Sequence, residues 1–400
     1  MEYSTERFVR EITAEGVEFN GGSVYAELCK LTDVRKAKGK RYSLEGLLTI
    51  ILLAKLSGED TPYAMADWAK NHQEPLVERL ELKWPKMPSH HTLRRILAQV
   101  VDAEELERLV GKYNQNGDHG EVYALDGKAA RGTRKKDDEE GPEYLLSLFD
   151  VQQAKVLSQV SVGRKENEIV RAPEALKMAA ITGKVVTADA MHTQKRLSAQ
   201  ILEQGGNYVF PVKENQLQLY QSIQQLFVPE YPKPGFGKIR TDFLTAQKVS
   251  KGHGRLEIRT ITTSEMLNSY STWPGLGQVY RLDRQFHWWR SGRCYHRSHE
   301  VEYGITSLSR TQATPLRLLH LRRLHWGIET GLHYRRDVTF QEDATRMTIA
   351  NTGKVMASLN NLVIALIRQA KFQNAAQARR HFAGHLAAAF SLLTTPFSQP

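Results

Sequence analysis

The sequence predicts an α/β protein, a mixed β-sheet with helices on its faces, preceded by an all-helical segment and interrupted by a β-rich stretch. Three observations predict it. Residues up to about 115 read as short helices joined by tight turns. Three β-type runs then follow at hairpin spacing, and helix and strand patterns alternate from Asn167 to Phe227. At 400 residues the chain has room for a sizeable core and two or three domains. Its 41% hydrophobic and 25% charged content is that of a soluble globular protein.

Within the helical segment, Leu44 to Leu56 is the strongest helix, with Ser43 as N-cap and Ser57-Gly58 as its stop. Its apolar run is short and holds Lys55, so it predicts a buried helix and not a membrane span. Pro62 opens the next helix, through Trp68 and Ala69, and Pro75 to Leu82 makes a third. MPSHHTLRRILAQV begins with a turn at Pro88 and an N-cap at Ser89, then carries Arg94 and Arg95 on a helix. This is the outline of a helix-turn-helix, with His91, Arg94 and Arg95 as candidate DNA contacts. His90 and His91 read as caps or phosphate contacts, because no third metal ligand stands at helical spacing.

From Glu121 the pattern changes. GEVYALDGKAARG is a β-type run ending on Asp126 and Gly127, and YLLSLFDV and KVLSQVSVG complete a meander. Asn167 to Ala180 is helical. GKVVTADA is a buried strand that delivers Asp189, Thr193 to Gln204 an amphipathic helix, Asn207 to Lys213 another strand, and ENQLQLYQSIQQLF a helix. In such a sheet the first and fourth strands are parallel and lie side by side. Asp126 and Asp189 then meet near the strand ends, where open α/β sheets bind ligands. Two neighbouring carboxylates repel and call for a cation between them. The plainer reading makes Asp126 the turn residue of an Asp-Gly pair and Asp189 a helix cap.

Pro229, Pro232, Pro234, Gly235 and Gly237 read as a linker. LEIRTITT, QVYRLDRQFHWW and YHRSHEVEYGITSL follow as short strands, with basic residues interleaved with Phe286, Trp288 and Trp289. Such a pattern contacts phosphates while stacking on bases, or is one face of a small sheet. Leu316 to Asp343 reads as a packed helix on which Arg322, His325, Glu329, His333 and Arg336 fall near one line. One carboxylate in a row of cationic groups suits a polyanion that approaches it with a metal in between. An Arg-rich solvated helix is the bland alternative. Glu342 and Asp343 read as partners of the helix's arginines. Two helices, Asn351 to Ala370 and Gln373 to Leu393, close the chain.

Net charge is +11 and the pI about 9.4, which points to nucleic acid or another polyanion. Cys29 and Cys294 lie far apart, outside any CxxC pattern, which argues for a reducing compartment and against a cysteine zinc site. The N-terminus is too polar for a signal peptide. A cytoplasmic protein, associated with the nucleoid when on DNA, is expected.

Asp126, Asp189 and Glu329 fit a two-metal phosphoryl-transfer site, with Mg2+ or Mn2+ favoured by oxygen ligands. Asp126 bridges both ions in this reading. Zinc held by His325, Glu329 and His333 competes for the same helix, although HExxH is absent. Lys128, Arg131 and Lys213 are placed to meet phosphates at the edge of the site.

LDGK at Leu125, TADAM at Thr187, PVKENQ at Pro211 and HWGIETGLHYRRDVTFQEDATR at His325 resemble, in that order, a DDE transposase of the ISAs1 group. These are the H-repeat-associated proteins of the broader IS4-like class. RYSLEGLLTIILLAKLSGEDTPYAMADWA and MPSHHT resemble the helical domain ahead of their catalytic core, so the likeness spans nearly the whole chain. It implies an RNase H-like core with a β-rich insertion between the second Asp and the Glu, and Asp126, Asp189 and Glu329 as the metal-binding triad. The wider class has a Y-R-E-K signature; its first, second and last places here hold Arg322, His325 and Arg336. The subgroup's IENSLHW appears as IETGLHY, with Thr330, Gly331 and Tyr334 substituted. His253 and Arg255 resemble a family HGR turn. The expected organisation is a DNA-binding domain at 1–117, core at 118–228, insertion at 229–309, core completion at 310–350 and C-terminal helices at 351–400. The implied activity is strand cleavage at inverted-repeat ends and transfer of 3′-hydroxyls into target DNA, by a homodimer. A domesticated endonuclease and a non-catalytic DNA-binding repressor are the rivals.

Overall fold

A computed structural model describes residues 10–12, 18–134, 141–163, 166–228, 241–252, 254–290 and 293–396. In chain order, β1 (Arg10–Ile12) and β2 (Glu18–Asn20) precede the helices α1 (Val24–Leu28), α2 (Leu44–Leu56), α3 (Pro62–Asn71), α4 (Gln73–Arg79), α5 (His90–Arg95) and α6 (Ala103–Asn114). Strands β3 (Val122–Ala130), β4 (Glu143–Asp150) and β5 (Lys155–Val162) follow. Next come α7 (Glu168–Lys177), β6 (Val185–Ala188), α8 (Lys195–Glu203), β7 (Asn207–Val212) and α9 (Leu217–Leu226). Four longer strands, β8 (Leu244–Gly252), β9 (Arg255–Ser264), β10 (Gln278–Arg290) and β11 (Arg293–Thr306), lead to α10 (Pro315–His325). After π-helical turns at Glu329–His333 and Arg335–Thr339 the chain closes with α11 (Thr352–Gln369), α12 (Ala375–Gly384) and α13 (Leu386–Thr394). These elements form two compact units: Met1–His119 with Gly127–Asn167 and Glu329–Pro400, and Gly120–Asp126 with Glu168–Ile328.

In the first unit the helix starts follow the expected chemistry. Ser43 Oγ accepts from Gly46 N–H and Ser89 Oγ from Thr92 N–H, each satisfying an otherwise orphaned donor. Helix α2 is buried on every side, with Leu47, Leu48 and Ile50 through Leu53 fully covered, which explains its lack of a polar face. Lys55 survives there through Asp60, 3.2 Å away. Helix α4 starts at Gln73, two residues before the expected Pro75, because proline is tolerated inside the first turn. Strands run in the order β5-β4-β3, the expected meander, and α6 and α11 pack on β5. The last predicted helix is split at His385, which follows Gly384 in a non-helical conformation.

In the second unit the order is β3-β6-β7-β11-β10-β9-β8. Strands β3, β6 and β7 are parallel, and the others are antiparallel. The β-rich stretch therefore extends the core sheet: Tyr303 to Thr306 of β11 pair with Val212 to Val209 of β7. Strand β8 is an element the sequence pattern did not announce. Its residues are mostly exposed, and an edge strand needs backbone pairing on one side and no apolar face. The proline- and glycine-rich stretch from Pro229 to Gly237 lies outside the described residues.

Candidate active site

The second unit holds two of the predicted acids on adjacent strands. Strands β3 and β6 pair in register from Val122↔Val185 to Leu125↔Ala188, so Asp126 and Asp189 each follow the last paired residue of adjacent parallel strands. Such strands run about 4.8 Å apart. The plainer reading of Asp126 does not match the geometry, and that of Asp189 matches only in part. Asp126 and Gly127 lie inside β3, which runs on to Ala130, and make no turn there. Asp189 precedes a short 3-10 turn at Ala190–His192 but makes no capping hydrogen bond.

Asp189 is exposed and flanked by cationic groups. His325 turns Nε2 to its carboxylate at 3.3 Å and Nδ1 to the Thr187 hydroxyl at 3.2 Å. The tautomer with the proton on Nε2 donates to Asp189. That hydrogen bond, helped by the charges of Arg322 and Lys213, holds Asp189 below its ordinary range against the opposing effect of burial. Burial lowers the affinity of His325 for a second proton, with Asp189 pulling the other way.

Arg322 is engaged within the protein. It is buried and makes a two-pronged ion pair with Glu302, Nε to Oε1 at 2.8 Å and Nη2 to Oε2 at 3.0 Å. Burial opposes both charges, yet each partner keeps the other ionised: Glu302 is held below its ordinary range and Arg322 above. Glu302 went unnoticed in the sequence, since a lone glutamate on a strand carries no signal of its own. Lys213 is exposed just past the end of β7.

In the first unit Glu329 opens the first π-turn. Its side chain is 51% exposed, and His333 Nδ1 lies 3.5 Å from its carboxylate. The segment expected as one helix to Asp343 ends as an α-helix at His325 and continues as these wider turns. Rings closed by i→i+5 bonds, such as Phe340 N–H to Arg335 O, shift side chains off the ordinary helical line. Arg336 is consequently fully buried, where it was expected at DNA. It grips Glu342 through Nε and Nη2, at 2.8 and 2.5 Å, and donates from Nη1 to Gln159 at 3.2 Å. Asn360 completes Glu342 at 2.8 Å, while Gln159 donates to Glu107 at 3.0 Å. Glu342 is thus an arginine partner, as read from the sequence, and holds the π-turns from behind. Gly331 lies close to the Phe149 ring; a Cβ there would come within 3.1 Å of it.

The remaining candidates divide by exposure. Lys128 is nearly buried and bound to Asp337 at 2.6 Å, with Asp343 at 3.7 Å. Arg131 donates its backbone N–H to Asp343 at 3.0 Å while its side chain stays 78% exposed. His91, Arg94 and Arg95 are exposed on one face of α5. Arg255 stacks over the Phe286 ring at 5.4 Å, and His253 lies outside the described residues. Among the described residues no helix is long and apolar enough to cross a membrane.

The fold is a mixed α/β sheet with acids just past the paired ends of two adjacent parallel strands, the end at which sheets of this kind bind ligands. The family models are more specific. Residues 118–366 match the transposase DDE domain and residues 25–114 match the DDE_Tnp_1-associated region. The chain belongs to the transposase DDE domain family. It is a DNA transposase of the IS4-like DDE class, with an RNase H-like core, and divalent metal use comes with that family. Among similar proteins, YbfL of Escherichia coli (strain K12) is 26% identical over 356 residues, 88% of this chain and 91% of its own. The H repeat-associated YhhI of the same strain is also 26% identical with the same coverage. YncI of Escherichia coli O157:H7 is 27% identical over 85% of this chain and 86% of its own. The last two are named as candidate transposases. Among solved structures, a piggyBac transposase synaptic complex with hairpin DNA aligns over 92% of this chain and 77% of that one. Its identity is 12% and its TM-score 0.43, too low for residues to be carried across.

Proposed function

We propose that the protein cleaves DNA at the inverted-repeat ends of a mobile element and transfers the exposed 3′-hydroxyls into target DNA, with Asp126, Asp189 and Glu329 holding two divalent cations. The observation that supports this reading is the parallel register ending at Leu125↔Ala188, directly before Asp126 and Asp189. The donors are carboxylate oxygens, and Asp189 is kept ionised by His325; both suit Mg2+ or Mn2+. Paired ions, when bound, supply an activated oxygen nucleophile and stabilise the departing one. His325 orients Asp189 through its hydrogen bond, Arg322 and Glu302 lock the helix that carries His325, and Arg336 and Glu342 brace the turns that carry Glu329. Lys213 and Arg131 then meet phosphates of the strand being cut. In the same reading residues 1–117 bind DNA through His91, Arg94 and Arg95, and Arg255 in the 229–309 insertion adds backbone contacts. Two element ends must be joined, which asks for a homodimer.

The test is a donor duplex with terminal repeats, incubated with target DNA and Mg2+. Products joined to target support the proposal, whereas nicks alone indicate an endonuclease and a gel shift without cleavage a repressor. Glu329→Gln is expected to lower cleavage by at least about a hundredfold while leaving DNA affinity intact. Equal loss of both would make Glu329 a structural residue.

A further inference from the structure

We infer that α10 and the β8–β9 edge form a second phosphate-binding site, separate from the acids and facing the opposite side of α10 from Arg322 and His325. A cavity of about 380 Å3 lies there, its polar lining dominated by Lys248, Arg259, Arg317, His320 and Arg323, with no carboxylate among its lining residues. Its construction follows from two periodicities. On α10, Leu316, Leu319, His320 and Arg323 stand at i, i+3, i+4 and i+7 and share one face. On the sheet, Lys248 of β8 stands directly opposite Arg259 of β9, and Arg259 directly opposite Arg284 of β10.

Like charges placed directly across a ladder destabilise it, so three cations in one row need anions. Glu257 answers Arg259 at 2.6 Å, Glu300 answers Arg284 at 3.4 Å, and Glu121 answers Arg317. Among the described residues nothing pairs with Lys248, His320 or Arg323. One Arg259 nitrogen, Nη1, is also buried without a hydrogen-bond partner among them. Two charges and a buried donor are therefore left over around a concave surface that Leu316 and Leu319 also line. A phosphodiester supplies what is missing: an anion with several acceptor oxygens, reachable from both walls. On a chain of net charge +11, the ligand is the backbone of double-stranded DNA held along the β8 edge. This rests on the DNA-binding reading above and adds a contact track to it.

Binding of a labelled DNA duplex to the full chain, followed by fluorescence anisotropy through a salt titration, tests the site. The double variant Lys248→Ala, Arg323→Ala is expected to bind more weakly on every duplex sequence. Its slope of log affinity against log salt should be shallower by about 2, one per lost phosphate contact. Lys248→Arg with Arg323→Lys should keep the wild-type slope. If the wild type binds and the alanine variant keeps its slope, the site is not a phosphate site and the inference falls alone. It falls in the same way if the charge-keeping exchange loses the slope as fully as the alanines do. If the wild type fails to bind DNA, the reading beneath the inference has failed, and the inference goes with it.

Discussion

Arg322 and Arg323 are neighbours on α10 and have opposite fates. Arg322 points inward and is bound by Glu302, on the side of the helix that carries His325 and its bond to Asp189. Arg323 points outward, beside Lys248, with no partner among the described residues. The inward guanidinium has exchanged water for a carboxylate and is part of the scaffold; the outward one keeps its charge for a ligand. The π-turns of the first unit repeat the inward solution with Arg336 and Glu342. A positive residue beside a candidate site carboxylate is therefore not by that fact a DNA contact. Its role is decided by whether a protein carboxylate has already claimed it.

The largest expected effect breaks an inward pair. Arg336→Met leaves Glu342 buried and uncompensated, and urea unfolding should show a loss of about 3–5 kcal/mol. The double variant Arg336→Met, Glu342→Leu should recover much of it, because two apolar side chains then replace two desolvated charges. A loss under about 1 kcal/mol in the single variant would mean that water reaches the pair, and the contrast with Arg323 would vanish.

A second prediction sharpens the same network through Glu107, which accepts from Gln159 and Ser358. Burial pushes its carboxyl up from the ordinary 4.5 to about 7. The folded state therefore holds a proton that the unfolded state has released between those two values. Stability should fall as pH rises through that window, by about 3 kcal/mol at most, and level off above it. Glu107→Gln should flatten this dependence in unfolding curves at pH 5 and pH 8; an unchanged slope would assign it to another group.

The smallest effect lies on the outward side. Arg323→Ala should change stability by no more than about 0.5 kcal/mol, since no buried partner is orphaned. A thermal melt showing a drop comparable to that of the inward variant would erase the distinction between the two faces.

Features set by near neighbours in the chain were legible from the residues alone. Ser43 and Ser89 cap helices because a hydroxyl three residues ahead of an N–H needs only local geometry. The alternation from α7 to α9 implied parallel strands, and β3 and β6 are parallel and adjacent. Legibility ended where packing intervenes. The apolar spacing from Leu316 to Asp343 implied one helix, yet after His325, where Gly327, Thr330, Gly331, Val338 and Thr339 weaken helix propensity, the chain opens into π-turns. Strand β8 was missed because its stability comes from pairing with β9 and not from its own apolar pattern.

Element order and excess positive charge are properties of the linear chain, since they depend on residue type and on spacings of a few residues. Which cations remain available is a property of the folded molecule. Arg322 meets Glu302 from 20 positions away, and Arg336 meets Gln159 from 177. Desolvation depends on everything packed within a few ångströms, and in these places the packing neighbours come from remote parts of the chain.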